Sequence, residues 1–408
     1  MQKPLSVTDF QRDSNPIAQH YAQFQVDKRL LLSGHSHQAW PDVALDGVKA
    51  AWADAATHLD DKWQFAFEKA RQVEQGFARL LNDSDGDYAL AENTHTLIIR
   101  FLSALDLKRR PQLITSDSEF HTIRRQLDRL SEEGIEIIHV PALPHNTFSE
   151  RLAAKVNQKT AAVLVSSVFF NSGQICDGLS DVMTACERQG SELLVDVYHQ
   201  LNIVPFDITS TGLKQAYIVG GGYKYCQLGE GNCFLRIPSD CQKRPVITGW
   251  YADFESLTNS NDRQVNYGQG GQRFAGATYD PTSHYRAAEV FKFFADHGLS
   301  PTLLRAINQH QTALLLERFD TLNLPDNFIS RDHLVSPQQR GGFISLKSSH
   351  AALITKKLHR QKVYCDHRGD ILRIGPAPYL SDRQLHDAMD SFTATTKAIA
   401  LELKLRNP

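Results

Sequence analysis

Short apolar runs alternate with longer amphipathic ones through the middle of the chain. Gln112–Thr115 (QLIT), Ile135–Val140 (IEIIHV), Ala161–Val168 (AAVLVSSV), Glu192–Val197 (ELLVDV), Ala216–Gly220 (AYIVG) and Asn232–Ile237 (NCFLRI) are predicted to be buried strands. Between them, Thr122–Glu133 and Ser180–Gln189 carry apolar residues at helical spacing, and upstream Trp63–Leu81 does the same. Strands interleaved with helices predict a mainly parallel, doubly wound sheet with helices on both faces. Polar, Gly-rich sequence from Asn259 to Thr278 interrupts this pattern. Beyond Pro281 come two long helices (Tyr285–His297, Pro301–Leu322), three short strands (Gly342–Leu346, Val363–Asp366, Ile371–Ile374) and a closing helix, Asp382–Leu405. The expected division is an N-terminal arm over residues 1–45 that completes the small domain, a large α/β domain over 46–280, and a smaller α+β domain over 281–408.

Composition narrows the function classes. A chain of 408 residues is more than one small core holds. Its 44 Lys+Arg against 46 Asp+Glu give a formal net charge of −2, which removes the main reason to expect nucleic acid or an anionic membrane as a partner. No stretch approaches the ~20 apolar residues of a membrane span. The amino terminus, MQKPLSVTDFQRDSNP, has no apolar run after its basic residue, so no signal peptide is expected. Cys176, Cys186, Cys226, Cys233, Cys241 and Cys365 are sparse and form no C-x-x-C, which reads as reduced thiols in a cytoplasmic protein.

Several common sites are absent. There is no G-x-G-x-x-G opening a helix, no P-loop, no H-E-x-x-H and no G-x-S-x-G elbow. His35 and His37 (GHSH) have no second ligand cluster nearby and are read as loop histidines, so no metal is expected. Asp83–Asp87 (DSDGD) is too short for an EF-hand loop and reads as a turn.

Three features stand in the order expected of one cofactor site. Glu92-Asn93-Thr94 precedes the helical run Thr96–Leu105, where a hydroxyl and free backbone N–H groups suit a phosphate; a plain N-cap is the alternative. Asp196 ends an apolar strand, where α/β sheets place their ligands. A carboxylate there needs a cationic partner, such as a pyridinium nitrogen, unless it is only a loop or cap Asp. Lys224, in GGGYKYCQLGEG, lies between aromatics after three glycines; burial would lower its pKa and make it a nucleophilic amine, whereas a snorkelling lysine would stay protonated. Phosphate seat, acid and lysine in that order call for pyridoxal 5′-phosphate.

These residues carry a resemblance to a known family. D-V-Y-H (Asp196 to His199), G-Y-K-Y (Gly222 to Tyr225), G-W (Gly249-Trp250), R-F-x-G-x-T (Arg273 to Thr278) and I-L-R-I-G (Ile371 to Gly375) resemble the motifs of kynureninases, fold-type-I pyridoxal-phosphate (PLP) enzymes of the class-V aminotransferase superfamily. The resemblance runs, with gaps, from Leu30 to Leu385. It implies the PLP-dependent transferase fold of type I, with a mainly parallel seven-stranded sheet. It also implies Cβ–Cγ hydrolysis of L-kynurenine or its 3-hydroxy form, giving an anthranilate and L-alanine in kynurenine breakdown.

Carried over position by position, the resemblance gives each residue a role. Lys224 is the Schiff-base lysine and general base, Asp196 pairs the ring nitrogen, and Tyr223 is an acid–base relay. Asn93 and Thr94 hold the phosphate, together with His199, Tyr223 and Trp250. Phe120, in E-F-H-T, stacks on the ring, with Thr122 and Ser167 close by. Thr278 reaches the phosphate of a neighbouring subunit, which implies a homodimer with shared sites. Arg373 grips the substrate carboxylate by a bidentate fork, with Ser36 also on the substrate side. The family's G-N-S-L-G stands here as Gly34-His35-Ser36-His37-Gln38, and its F-P-T-D as Phe120-His121-Thr122-Ile123, without the acid. Both differences lie where the amino-acid side chain would sit. An aminotransferase, β-lyase or desulfurase would use the same Lys, Asp and phosphate seat, and a non-catalytic PLP-fold binding protein would keep the fold without needing the lysine.

Overall fold

The computed structural model describes residues 5–259 and 265–406; positions 260–264 of the polar stretch, and residues 1–4 of the amino-terminal segment, lie outside the described residues. In chain order the strands are β1 (Leu30–Leu31), β2 (Asp87–Ala91), β3 (Gln112–Ser116), β4 (Glu136–Val140), β5 (Thr160–Ser166), β6 (Glu192–Asp196), β7 (Tyr217–Gly221), β8 (Cys233–Ile237), β9 (Ser330–Arg331), β10 (Ile344–Lys347), β11 (Val363–Tyr364), β12 (Asp366–Arg368) and β13 (Ile371–Ile374). The helices are α1 (Val7–Gln11), α2 (Val43–His58), α3 (Lys62–Leu81), α4 (Thr94–Ser103), α5 (His121–Glu132), α6 (Phe148–Ala153), α7 (Leu179–Gln189), α8 (Thr282–Asp296), α9 (Pro301–Asp320), α10 (Ala351–Arg360) and α11 (Asp382–Arg406).

The six runs predicted as buried strands form β3 to β8, with ends moved by no more than two residues. With β2 they make a seven-stranded sheet in the order β2-β8-β7-β6-β5-β3-β4. Only β8 runs against the other six. Strands such as β5 and β7 are buried along their whole length because alternate side chains enter two different cores. Val163, Val165, Val195 and Ile218 join one apolar cluster, and Ala162, Leu164, Leu194 and Val219 join the other.

Strand β2 escaped the sequence reading: DYALA follows the DSDGD turn and is only half buried. Within that turn, Asp83 forms a buried ion pair with Arg236 at 2.8 Å, which ties the turn to β8. Helix α2 was also missed. It has no apolar stripe aimed at its own chain's core, and Trp52 is 80% exposed.

The C-terminal segment builds a four-stranded antiparallel sheet, β12-β13-β10-β9, covered by α10, on which α11 packs in turn. The arm joins it: β1 pairs in parallel with β11, and Ser33 bridges to Gly375. Helix α8 follows Pro281 but packs on α2 and α3. The carboxyl ends of β5 and β6 thus face the start of α4 on one side and β13 on the other.

Candidate active site

Asp196 is the last residue of β6 and pairs in register with Ser166, the last of β5. The chain turns at once, and the Tyr198 N–H donates to Asp196 Oδ1 at 2.8 Å, leaving Oδ2 without a donor among the described residues. The turn carries Tyr198 and His199 back over the sheet end. Beside it, β7 ends in Gly220-Gly221, with Gly222 just beyond, and a Cβ on Gly221 would meet the Tyr198 hydroxyl at 2.4 Å. Glycine is needed there so that Tyr198 can lie across the strand. Lys224 follows two residues later.

Lys224, Asp196 and His199 are 6%, 8% and 6% exposed. The Lys224 amine lies 2.7 Å from His199 Nε2 and sits over the Tyr198 ring at 4.6 Å, with the Phe120 and Tyr223 rings at 5.6 and 5.7 Å. Burial pulls its pKa down to about 7, against the opposing pull of Asp196, so a large share of the amine is unprotonated near neutrality. Burial, then the charges of Lys224 and Arg373, push His199 well below the usual imidazole range, so it is neutral. His199 Nε2 therefore accepts from the amine, and its buried Nδ1 has no partner among the described residues. Burial raises Asp196, while its bond from Tyr198 and the nearby Lys224 oppose that rise.

These groups face a cavity of about 340 Å³. The structure brings together eight of the residues singled out above, Asn93, Thr94, Phe120, Thr122, Asp196, His199, Tyr223 and Lys224, along its wall. At one end α4 presents its N-terminus. The Asn93 side chain is its N-cap, accepting from the Thr96 N–H at 2.9 Å, which leaves Thr94 and the first-turn N–H groups toward the cavity. His199, expected to bond the phosphate, stands at the Lys224 amine. Burial holds the Tyr223 hydroxyl up at about 12, so it is a proton donor at neutral pH.

Other expected residues lie outside the wall. Ser167 turns its hydroxyl to the Asp196 carbonyl at 3.2 Å, and Ser166 lines the cavity in its place. Trp250 is 43% exposed and packs at a tilt against the Tyr251 ring, 4.3 Å between centroids. Thr278 lines a larger cleft of about 1290 Å³ that shares Glu92 and Gly231 with the first. Ser36 bonds its neighbour His37, whose ring stacks on Tyr223 at 4.9 Å. Arg373 is 3% exposed and already paired: its Nε donates to Asp366 at 2.8 Å, its Nη2 to the same carboxylate, and its Nη1 to the Phe170 carbonyl at 2.7 Å. His35, expected in a loop, is fully buried.

One buried acid was missed. Glu119, the first residue of E-F-H-T, is 1% exposed. It accepts from the Ser116 hydroxyl at 2.6 Å and the Ser166 N–H at 3.1 Å, and shares a further bond with the Ser166 hydroxyl. Burial raises its pKa to about 7, with the Asp196 charge acting in the same direction. Its position immediately after β3 was the available signal.

The fold recurs in solved structures. A mutant of C-DES with glycine covalently linked to its PLP cofactor superposes with a TM-score of 0.81 over 93% of this chain and 99% of that one, at 18% identity. The apo cysteine desulfurase of Thermococcus onnurineus gives 0.77 over 95% and 99%, at 13% identity. The fold is that of the class-V, type-I PLP enzymes. Within that type-I fold, residues 304–392 match the Kynureninase C-terminal domain family. The uncharacterized aminotransferase YcbU of Bacillus subtilis is 20% identical over 349 residues, covering 84% of this chain and 88% of its own. Cysteine desulfurase IscS of Rickettsia akari is 24% identical over 193 residues, 45% of this chain and 46% of its own.

Proposed function

We propose that the chain binds pyridoxal 5′-phosphate and hydrolyses the Cβ–Cγ bond of L-kynurenine or 3-hydroxykynurenine. The observation that carries this reading is the Lys224 amine, buried and partly unprotonated, in one cavity with Asp196 and an open helix start. The donor set fits the cofactor. Lys224 offers an amine for its aldehyde, Asp196 Oδ2 a free acceptor for its ring nitrogen, and the start of α4 with Thr94 a seat for its phosphate. The unpartnered His199 Nδ1 is a further polar atom that a ligand could satisfy.

When bound, PLP supplies an electron sink that stabilises negative charge at the substrate Cα. The chain's own residues do the rest. The Lys224 amine takes and returns a proton, aided by a pKa near the working pH. Asp196, as a carboxylate, favours a protonated ring nitrogen. Phe120 covers one wall, and Phe170 and Tyr198 add aromatic surface to a lining of mostly polar residues, against which an aryl side chain could pack. Tyr223 is placed to donate a proton to a departing group. The match of residues 304–392 supports a kynureninase-type reaction over the alternatives.

Sulfur transfer, the reaction named for several relatives, needs an accessible thiolate. Five of the six cysteines are buried, with burial pushing Cys176, Cys186, Cys233 and Cys365 up to about 12. Cys241 is half-buried against the Tyr217 hydroxyl at 3.1 Å. Transamination is separated by assay: anthranilate fluorescence from L-kynurenine without an added keto acid supports hydrolysis, and dependence on a keto acid overturns it.

A homodimer belongs to the same proposal. Val246 and Ile247, adjacent in sequence, are 82% and 51% exposed, apolar surface that a second copy could cover. Thr278 lies outside its own chain's small cavity, as a residue serving a second copy's site would. Sedimentation at micromolar concentration tests this, and a monomer there overturns it. Among the described residues no helix is long and apolar enough to cross a membrane.

A further inference from the structure

Gly34-His35-Ser36-His37-Gln38 carries two histidines, and the structure gives the first a definite task. His35 Nε2 lies 2.8 Å from Asp366 Oδ1. Burial holds its pKa near 4 despite that carboxylate, so the ring is neutral and its Nε2–H donates. Asp366 holds Arg373 by the two-pronged bond already described. It is also 3.5 Å from Arg368 Nη2. The two residues of the fork stand opposite each other in register on β12 and β13. The Phe343 ring backs the group, with His35 at 4.7 Å, His199 at 5.6 Å and the Arg373 guanidinium at 5.6 Å.

This geometry fixes which part of Arg373 is free. A guanidinium has five N–H donors in a rigid plane. Asp366 takes the Nε–Nη2 edge and the Phe170 carbonyl takes one Nη1 donor, so two donors remain, one on each terminal nitrogen. Phe170 also lines the cavity. The Arg373 charge acts on both Lys224 and His199. We infer that His35 and Asp366 are positioning residues that lock the Arg373 plane, leaving its terminal nitrogens to receive the α-carboxylate of an amino-acid substrate. His35 supplies the donor that keeps Asp366 from turning away, in a place where an exposed loop would supply water.

The inference rests on the PLP reading, so its test uses the PLP-loaded protein and ligands that need no bond cleavage. L-alanine and ethylamine differ by the carboxylate alone, and their binding is read as a change in the visible cofactor spectrum. The wild type is expected to prefer L-alanine. His35→Ala should weaken L-alanine about tenfold, the scale of one charge-assisted hydrogen bond, and leave ethylamine unchanged. His35→Gln, which retains a side-chain N–H, should recover most of the loss. Asp366→Asn tests the fork itself and should reduce the preference further. Because Asp366→Asn leaves Arg373 buried with a weaker acceptor and can fail to fold, the His35 pair decides. An unchanged preference in His35→Ala, or an equal loss for both ligands, overturns the inference. A protein that takes up no PLP, and so shows no cofactor absorbance to follow, overturns the PLP reading instead, and a loaded wild type whose spectrum responds to neither ligand overturns the inference.

Discussion

Lys224 and His199 stand 2.7 Å apart, out of solvent, and two buried cations cannot share that distance. One must be neutral, and burial makes both lean that way. Burial, helped by the charges of Arg373 and Arg368, turns an ordinary lysine into an amine available near neutral pH, and the neutral His199 beside it accepts its hydrogen bond.

Covalent capture of the cofactor should therefore depend on this amine alone. After borohydride reduction, mass spectrometry of the PLP-loaded protein should find the adduct on Lys224, and Lys224→Ala should show none and no turnover. The capture rate should rise as pH climbs toward about 7 and level off above it, because the folded amine loses its proton there and not near the 10.5 of a free lysine. A rate still climbing at pH 9 would contradict the assignment.

Asp196→Asn should separate binding from chemistry. The amide keeps the shape and the bond from Tyr198 but cannot hold a positive ring nitrogen by charge. PLP should still bind, with kcat down about 100-fold, the low end of what one electrostatic contact supplies in an active site. Near-normal kcat would place the ring nitrogen against another group.

Glu119 predicts a stability effect with a definite sign. Its folded pKa, about 7, exceeds the 4.5 of the free side chain, so between those values the folded state binds more protons than the unfolded. Wild-type stability should fall as pH rises through this window. Glu119→Gln should lack that slope and gain on the wild type up to pH 7, as read by urea melts of the apo protein at pH 4.5 and 7.5. Parallel stability curves would mean that Glu119 is ionised throughout.

Gly375→Ala addresses the carboxylate seat through packing. The new Cβ would fall 2.4 Å from His35 Nδ1 and 3.1 Å from its backbone nitrogen. Such overpacking costs about 1–3 kcal/mol, to be read in urea melts. Moving His35 should also erode the preference for L-alanine over ethylamine. A variant as stable as the wild type would show that His35 can shift freely.

The sequence alone determined the layered α/β architecture and the core of the site. Buried strands write themselves as unbroken apolar runs, and a lysine among aromatics or an acid ending a strand is conspicuous in one dimension. It left out what forms between distant segments. Strand β2 and helix α2 carry weak periodicity, because one is half buried and the other shows its apolar residues to the outside. Ser166 replaced Ser167 because one residue of twist at a strand end reverses the side chain. Glu119 looked like any polar residue before a helix until β5 closed over it. Only the tertiary structure decided that His35 would be buried and that Asp366 would hold Arg373. Those contacts join positions more than 300 residues apart in one case and opposite strands of a hairpin in the other, and such pairings follow from how the arm and β13 pack together, which no local spacing encodes.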